Sequence, residues 1–390
     1  LNLTKNRGAY TVIVINATGA LSYYHYYNVS FKDLDEFSPM AEYYNSVFPL
    51  VRWTFSWGGK YRFYFIDLSA GDPNYTYTFN PIFGIGPIHI PIQHFFSEYR
   101  QKTTKTVTEY VADYINEAVR NLIIPSFVYP PRFTSNISIP ILVISGSNKI
   151  NIENYTKIIS IDAIYKSLHN LAPHINWKLN LSFIDLSLDK DLRKVVTDSE
   201  IYRLYVEDED GEIIEVVYFD YRQIYHYLLT SLTKYVNDTG EEFVIPVFAF
   251  IFPGACNLAW TWKEYTALRS LTDPRSLWGI ALPEMVIIGR SEYDIFKWGF
   301  CLTQTVIHEL GHMLGLMHPH TYGWTNDYVS SPMSYLTYCY NFSQFDKDAV
   351  RRAHADALLK QLTIEFSELK SIACGQIELK EINASLKAYN

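Results

Sequence analysis

Four of the eleven histidines of this chain lie close together, in the segment HELGHMLGLMHPH that begins at residue 308. His308 and His312 are four residues apart, so on a helix their imidazole rings project from one face and can bind one metal ion. Glu309 follows the first histidine, where its carboxylate can reach a water molecule on that ion rather than the ion itself. This spacing predicts a metal centre that activates water.

A third histidine, His318, can join this centre only if the helix ends before it. Six residues of continuing helix would rotate His318 by about 600° from His312, onto the wrong face. Gly315 lies between them, and glycine readily adopts the left-handed conformation that turns a chain out of a helix. The segment therefore predicts three ligands, His308, His312 and His318, around one catalytic Zn²⁺ with an open fourth position.

The pattern HExxHxxGxxH and a second motif downstream, Ser331-Pro-Met-Ser-Tyr335, together resemble the metzincin clan of zinc endopeptidases. The two motifs cover about 30 residues. Pro319, directly after the third histidine, makes the chain more similar to the serralysin branch than to the astacin branch. The sequence lacks the glycine-rich calcium-binding repeats of serralysins, and no cysteine precedes Cys256, so a cysteine-switch propeptide is not part of it.

The resemblance implies a role for each motif residue. Zinc would be bound by His308, His312 and His318; Glu309 would be the general base; Met333 would lie in a turn beneath the metal, and Tyr335 would contact zinc or the carbonyl oxygen under attack. The implied activity is hydrolysis of peptide bonds in a protein or peptide substrate. An alternative from another class is a cell-surface structural or adhesion glycoprotein with a catalytically silent zinc site.

The pattern of apolar residues after residue 136 alternates between β-rich runs and helical stretches. Strands are predicted at 137–145, 175–186, 243–252, 258–265 and 285–289, and helices at 158–171, 222–236 and 296–316. A last helix is predicted from Ser343, which can cap it with Asp346, and its buried stripe runs from Ala349 to Leu369. The order predicts an α/β or α+β domain whose sheet is partly covered by helices, and we take α+β as the fold class. The resemblance implies a metzincin-like domain with a mixed twisted sheet, an active-site helix, a Met-turn and a C-terminal helix.

Two domains are predicted from the change in pattern along the chain. Residues 1–130 form a β-rich N-terminal domain, which includes a hairpin around Gly58-Gly59 and ends in a helix at 105–122 and a proline-rich linker at 129–132. Residues 131–390 form the zinc protease domain.

Asn-x-Ser/Thr triplets are much denser than chance, which would give roughly three. Ten are present, at Asn2, Asn16, Asn28, Asn74, Asn136, Asn154, Asn180, Asn237, Asn341 and Asn383. Their number predicts an exported protein with N-linked glycans, located outside the cell or at its surface.

Four dispersed cysteines, Cys256, Cys301, Cys339 and Cys374, fit the same compartment because they have no metal-binding or redox spacing. They predict two disulfides with three possible pairings, and four buried thiols are the alternative.

The overall charge and hydropathy exclude two classes of partner. Forty-one carboxylates against 33 lysines and arginines, with no basic run, argue against a nucleic-acid partner. No run of 18 apolar residues occurs, so the sequence predicts no transmembrane segment.

Overall fold

The computed structural model describes most of the chain from residue 134 onward and short pieces before it. The described ranges are 134–207, 210–236, 243–260, 275–299, 302–318, 331–333 and 339–372, with strands between residues 11 and 67 and a few single positions. The predicted helix at 105–122 lies mostly outside these residues, and the predicted linker at 129–132 lies wholly outside them. The division into two domains stays a prediction.

Five short strands are described in the N-terminal part of the chain. They are β1 (Thr11–Ile15), β2 (His25–Tyr27), β3 (Phe48–Leu50), β4 (Phe55–Trp57) and β5 (Phe63–Asp67). β4 and β5 pair antiparallel with Phe55 opposite Ile66, so the two segments of the predicted hairpin do pair, in a register with six residues between Trp57 and Tyr64 rather than the two of a Gly58-Gly59 turn. β5 also pairs in parallel with β1, and β2 pairs antiparallel with β3. The turn of the hairpin lies outside the described residues.

Strands and helices alternate from residue 136 onward. The strands are β6 (Asn136–Ser145), β7 (Asn176–Asp185), β8 (Glu200–Glu207), β9 (Ile213–Asp220), β10 (Phe243–Val244), β11 (Val247–Phe252), β12 (Asn257–Trp260), β13 (Arg275–Leu277), β14 (Gly279–Ala281) and β15 (Val286–Ser291). The helices are α1 (Ile161–Leu171), α2 (Lys190–Asp198), α3 (Tyr221–Thr230), α4 (Leu232–Tyr235), α5 (Glu292–Trp298), α6 (Leu302–Met313) and α7 (Gln344–Ile372).

The central sheet is almost entirely parallel. β7 covers the whole length of one edge of β6, so β10 and β11 share the other edge, and β15 and then β14 follow. β14 alone among these strands runs antiparallel, pairing with β15 so that Gly279 lies opposite Ile288. The protein is therefore a mixed α/β structure, compatible with the predicted α+β class.

Helices and a second sheet cover the two faces of the central sheet, which explains why β11 and β15 are buried at every residue. Alternate residues of β6 show the division. Ile141 and Val143 pack in one apolar cluster with residues of α1, α6 and α7, while Leu142 and Ile144 pack in another with residues of α2, α3, β9 and β12. The His-bearing helix α6 thus belongs to the first layer.

The second sheet was not predicted. It has the order β13-β12-β9-β8, and β8 and β9 form a hairpin with many half-exposed or exposed residues. Few residues of β8 and β9 are buried, so apolar and polar residues do not alternate clearly along them. The sequence therefore did not distinguish this hairpin from a loop.

The predicted helix at 296–316 is wrong as one element. The structure has two helices, α5 and α6, separated at Gly299, which has a φ of 67°. Gly299 ends α5 because this left-handed backbone conformation is open to glycine and cannot continue a helix. Among the described residues, no helix has the length and apolar character needed to cross a membrane.

The last helix begins as predicted and is only partly buried. Ser343 Oγ accepts the Asp346 N–H at 3.2 Å, and Asp346 Oδ2 accepts the Ser343 N–H at 2.8 Å, which is a capping box. Ala349 and Ala353 are buried, whereas Leu369 is 54% exposed. A helix of 29 residues is roughly 44 Å long, so the far end of the predicted stripe extends beyond the core.

Two of the four cysteines lie in the described residues. Cys256 is a free thiol, and burial raises its pKa to about 11. Cys256 therefore forms no disulfide in the structure, and its thiol is half-buried rather than fully buried as the alternative expected. Cys339 Sγ lies 3.7 Å from the carbonyl oxygen of Asn341. Cys301 and Cys374 lie outside the described residues, and any pairing among the remaining cysteines stays a prediction.

The predicted glycosylation sites differ in accessibility where the structure describes them. Asn180 and Asn341 are exposed, and Asn136 and Asn154 are half-buried. Asn154 Nδ2 donates to the carbonyl oxygen of Lys149 at 2.8 Å, so this side chain also holds a turn together. The other six sites lie outside the described residues, and the presence of glycans stays a prediction.

A pair of histidines joins α7 to the turn before β7. His354 is 3% exposed, and its Nδ1 lies 2.9 Å from His174 Nε2. Burial, and secondarily the charge of His174, lowers the pKa of His354 to about 4. Because the folded pKa lies below that of the unfolded chain, protons bind the unfolded state more strongly, so stability falls as the pH falls below about 6.5.

We expect the free energy of unfolding at pH 5 to include a loss of about 2 kcal/mol from His354 relative to pH 7. Denaturant unfolding of the wild type and of His354→Asn, each with a chelator, measures this loss as the difference in pH slope between the two proteins. His226→Asn, which removes an exposed histidine of α3, should keep the wild-type slope. Equal slopes for wild type and His354→Asn would contradict the assignment.

Candidate metal centre

Helix α6 carries the first two histidines and is fixed at its N-terminus by α1. The N–H of Leu302 donates to the carbonyl oxygen of Ile158 at 2.9 Å, and Thr303 Oγ1 accepts the N–H of Ser160 at 2.8 Å. Val306 and Leu310 bury the inner side of the helix in the core. These contacts fix the rotation of α6 and therefore the direction in which its histidines point.

The C-terminus of α6 ends as the sequence predicts. The helix stops at Met313, and Gly315 has a φ of 87°. The N–H of Gly315 donates to the carbonyl oxygen of His312 at 2.9 Å, and that of Leu316 donates to Gly311 at 3.0 Å. This pair of bonds is the Schellman motif, which requires a left-handed residue at the position that Gly315 occupies. The turn leads the chain back toward the exposed side of His312.

The three predicted ligands converge at one point. The Nε2 atom of His308 lies 3.1 Å from that of His312 and 3.1 Å from that of His318, and the remaining pair is 3.0 Å apart. In a tetrahedral zinc site with Zn–N distances of 2.0–2.1 Å, ligand nitrogens are roughly 3.3 Å apart. The three histidines can therefore bind one metal ion.

Hydrogen bonds to the other ring nitrogens leave these Nε2 atoms as lone-pair donors. His308 Nδ1 lies 2.7 Å from the carbonyl oxygen of Pro332, and His312 Nδ1 lies 2.8 Å from that of Leu316. A carbonyl oxygen can only accept, so each Nδ1 carries the proton of the neutral ring. Burial lowers the pKa of His308 to about 3, which disfavours a second proton. A cation resolves the repulsion between the two facing Nε2 lone pairs, and the donor set fits it.

Glu309 points toward the edge strand β14. A Cβ atom added at Gly279 would lie 2.7 Å from Glu309 Oε1, and the backbone of Ala281 hydrogen-bonds the carboxyl group. Glu309 is 5% exposed. Burial raises its pKa to about 8, against the lowering effects of the Ala281 hydrogen bond and the Arg290 charge. Glu309 is thus a buried carboxyl group with a proton affinity suited to acid–base chemistry.

The segment 331–333 lies against α6 beneath the histidines. Met333 is fully buried, and a Cβ atom added at Gly311 would overlap its Sδ atom. The ring of Phe342 is also within 3.2 Å of that position. Gly311 therefore allows the segment to approach the helix closely enough for Pro332 to accept from His308. The role of Met333 as the residue of a Met-turn stays a prediction.

A buried carboxylate fixes this segment to the start of α7. Asp346 is 1% exposed, and its Oδ2 accepts hydrogen bonds from Ser331 Oγ at 2.6 Å and from Ser343 Oγ at 2.6 Å. Ser331 Oγ in turn accepts the N–H of Met333 at 3.1 Å. Asp346, which completes the capping box of α7, therefore also holds the 331–333 turn whose Pro332 carbonyl orients His308.

The structure brings together most of the predicted site and adds residues to it. His308, His312 and His318 converge, Gly315 ends the turn after α6, Glu309 faces β14, Met333 packs against Gly311, and Tyr335 lies outside the described residues. Four features were not predicted from the sequence: Gly311, Gly279, Arg290 and the second role of Asp346. Gly311 carried a signal, since a glycine in a helix interior is unfavourable by about 1 kcal/mol and so suggests a close approach.

No known protein family matches this chain, and a comparison with curated proteins finds no relative.

We expect the chain to bind one divalent ion, and we expect His308→Ala or His318→Ala to abolish that binding, because two imidazoles hold an ion far more weakly than three. Equilibrium dialysis against Zn²⁺, followed by elemental analysis, measures the stoichiometry. His169→Ala, on the exposed side of α1, is the matched control and should bind one ion. Retention of one tightly bound ion by both ligand variants would contradict the assignment of the centre.

Gly311→Ala should destabilise the protein by about 1–3 kcal/mol, although alanine normally favours a helix, because the new methyl group overlaps Met333 in a packed core. Denaturant unfolding measures the change. Gln304→Ala, elsewhere on α6, should change stability little. If the overlap with Met333 is the cause, the double variant Gly311→Ala/Met333→Ala will lose less free energy of unfolding than the sum of the losses of the two single variants. Additive losses would contradict it.

Proposed function

We propose that this chain is a zinc-dependent endopeptidase related in design to the metzincins. The observation that carries the proposal is the convergence of three Nε2 atoms within 3.0–3.1 Å, next to a buried glutamate whose carboxyl group faces a sheet edge. A structural zinc site has four protein ligands and no use for such a glutamate. Among the described residues three side chains converge on the ion, which leaves a fourth position for water beside this glutamate, as in a hydrolytic site.

The order of elements supports the resemblance to the metzincins. A mixed sheet with one antiparallel edge strand precedes the helix of the first two histidines, a methionine-containing segment lies beneath that helix, and a long helix follows. These are the parts that the resemblance implies for the catalytic domain. The hairpin β8–β9 lies in the chain between β7 and β11, and the other two strands of its sheet, β12 and β13, follow β11.

Zinc is the metal that this donor set favours, since three neutral imidazoles with an open position are typical of catalytic zinc. Bound zinc would supply a water of lowered pKa and would polarise the substrate carbonyl. Glu309 would take a proton from the attacking water and pass it to the leaving amine. Its burial and its contact with β14 keep the carboxyl group in one orientation during both transfers.

The edge strand β14 offers backbone groups to an extended substrate. Trp278 accepts from the N–H of Gly289 and Leu282 donates to Met285, so these residues use their backbone groups toward β15. By the alternation of an antiparallel pair, the N–H and C=O of Gly279 and the C=O of Ala281 point to the opposite edge. No described strand pairs with that edge. A peptide added there would lie beside Glu309.

Two further parts of the proposal rest on the sequence. Tyr335 would stabilise the oxyanion that forms at the substrate carbonyl, as the resemblance implies. The ten glycosylation triplets favour an exported glycoprotein, acting outside the cell or at its surface, and the exposed side chains of Asn180 and Asn341 are compatible with glycans.

Glu309→Gln should keep the bound zinc and lose cleavage by about 10²–10⁴-fold, because the change removes the base and leaves the three ligands. The assay combines elemental analysis with hydrolysis of reduced, alkylated serum albumin, an unfolded and unspecific substrate. Glu365→Gln, on the exposed side of α7, is the matched control and should cleave like the wild type.

The two outcomes against the proposal differ in meaning. Cleavage by Glu309→Gln at the wild-type rate would show that Glu309 is not the base. A wild-type chain that binds zinc and cleaves no unfolded substrate would favour the alternative, an adhesion or structural glycoprotein with a silent zinc site.

A further inference from the structure

Arg290 is a charged side chain inside the central sheet. It lies on β15, whose residues are all buried, and it is 4% exposed. Removing a guanidinium from water costs several kcal/mol unless its contacts offset the loss. A leucine or valine would fill a strand of this kind without that cost, so the contacts of Arg290 indicate what the charge does.

The contacts of Arg290 reach two different elements around Glu309. Its Nη2 donates to Thr305 Oγ1 at 2.9 Å, and its Cζ lies 4.0 Å from the centre of the Trp278 ring. Thr305 lies one helical turn before Glu309 on α6. Trp278 directly precedes Gly279, the residue that faces the Glu309 carboxyl group. One side chain therefore contacts both the helix that carries the base and the strand that faces it.

Gly279 lies so close to the Glu309 carboxyl group that neither can move toward the other. A single added methyl group at Gly279 would lie 2.7 Å from Glu309 Oε1. Trp278 is held to β15 by the hydrogen bond from Gly289 and by its ring on Arg290, and Thr305 is 7% exposed in the same packed region. The charge of Arg290 also acts on Glu309, because it opposes the rise in the Glu309 pKa that burial causes.

We propose that Arg290 is a positioning residue, which holds Trp278 and Thr305 together and so sets the distance between the outer edge of β14 and Glu309. The inference rests on the proposed function, because it takes an extended peptide as the molecule that pairs with β14. Thr305 lies one helical turn before Glu309 and Trp278 adjoins β14, so Arg290 links the two elements beside which the substrate strand would lie.

Peptide binding tests the role apart from turnover. The probe is the shortest fragment of reduced, alkylated serum albumin that the wild type cleaves, and its Kd is measured on the Glu309→Gln background, where it is not consumed. Arg290→Met should raise that Kd about tenfold, as expected for loss of a partly desolvated cation–π contact and a hydrogen bond. The zinc stoichiometry and zinc Kd should stay within about twofold of the wild type.

Trp278, the residue whose ring contacts Arg290, provides a second variant, and its substitution does not disturb a fully buried position. Trp278→Leu changes a ring that is 44% exposed and should raise the peptide Kd by a similar factor. If Arg290 and Trp278 act through one contact, the double variant will lose no more peptide affinity than the single variant with the larger loss. Arg290→Lys should recover part of the affinity, because an ammonium group keeps the charge and loses the fork that reaches Thr305.

Arg222→Met is the matched control. Arg222 lies on α3 in the opposite layer and pairs with Asp220 at 2.8 Å, so its loss should leave the peptide Kd unchanged. Unchanged peptide binding in Arg290→Met and in Trp278→Leu would overturn the positioning role while the proposed function stands. Loss of zinc together with peptide binding would overturn it too, by showing a general structural role. Absence of any cleavage by the wild type would instead sink the proposed function, and this inference with it.

Discussion

Three imidazole nitrogens face each other at 3.0–3.1 Å in the first layer of this protein, and those of His308 and His312 carry unshared electron pairs. Such an arrangement repels itself unless a cation lies among the lone pairs, so the surrounding fold must hold the rings in place. The constraint is met through the opposite ring nitrogens. His308 is oriented by the carbonyl oxygen of Pro332 and His312 by that of Leu316, and neither carbonyl belongs to a regular helix or strand. The two irregular segments that contain Leu316 and Pro332 must therefore be held as rigidly as helix α6.

Each of these segments is fixed by a different device. The one after α6 is fixed by Gly315, whose left-handed conformation closes the Schellman motif and turns the carbonyl of Leu316 back to His312. The segment of Pro332 is fixed by Asp346, which binds Ser331 from the first turn of α7, and by the space that Gly311 leaves for Met333. A buried carboxylate has a high desolvation cost, and burial does raise the pKa of Asp346. That cost is offset only while the hydroxyl groups of Ser331 and Ser343 both donate to it, so the turn and the helix form as one unit.

The spacing of residues within one segment was sufficient to predict that the three histidines converge. Packing between segments that are distant in the sequence explains the features that the sequence analysis missed. The interval between His308 and His312 is a property of one helix, and the need for a break at Gly315 follows from rotation about its axis. The strands β6 and β11 were also predictable, because buried parallel strands are long apolar runs, and β7 was predictable from the alternation of its apolar and polar residues. β14 has three half-buried residues and the β8–β9 hairpin has exposed apolar ones, so neither gives a clear period. Gly279 and Arg290 matter through contacts with α6, a relation that no window of the sequence contains. The break at Gly299 was visible as a glycine but was outweighed by the helical pattern on both sides of it.

Metal binding and the proposed catalysis depend on two different sets of contacts in this site. The three ligands depend on α6, the turn after it and the segment 331–333, which are fixed from below by the core and by α7. Glu309 depends on the opposite side, where β14, Arg290 and Trp278 approach it. A protein with the first set of contacts alone would bind an ion without directing a substrate to it, which is the silent site of the alternative function. The second set has its own cost, since it buries a guanidinium and a carboxyl group in the same region. A chain that needed only the ion would have no reason to keep both, and this asymmetry favours a site built for a reaction.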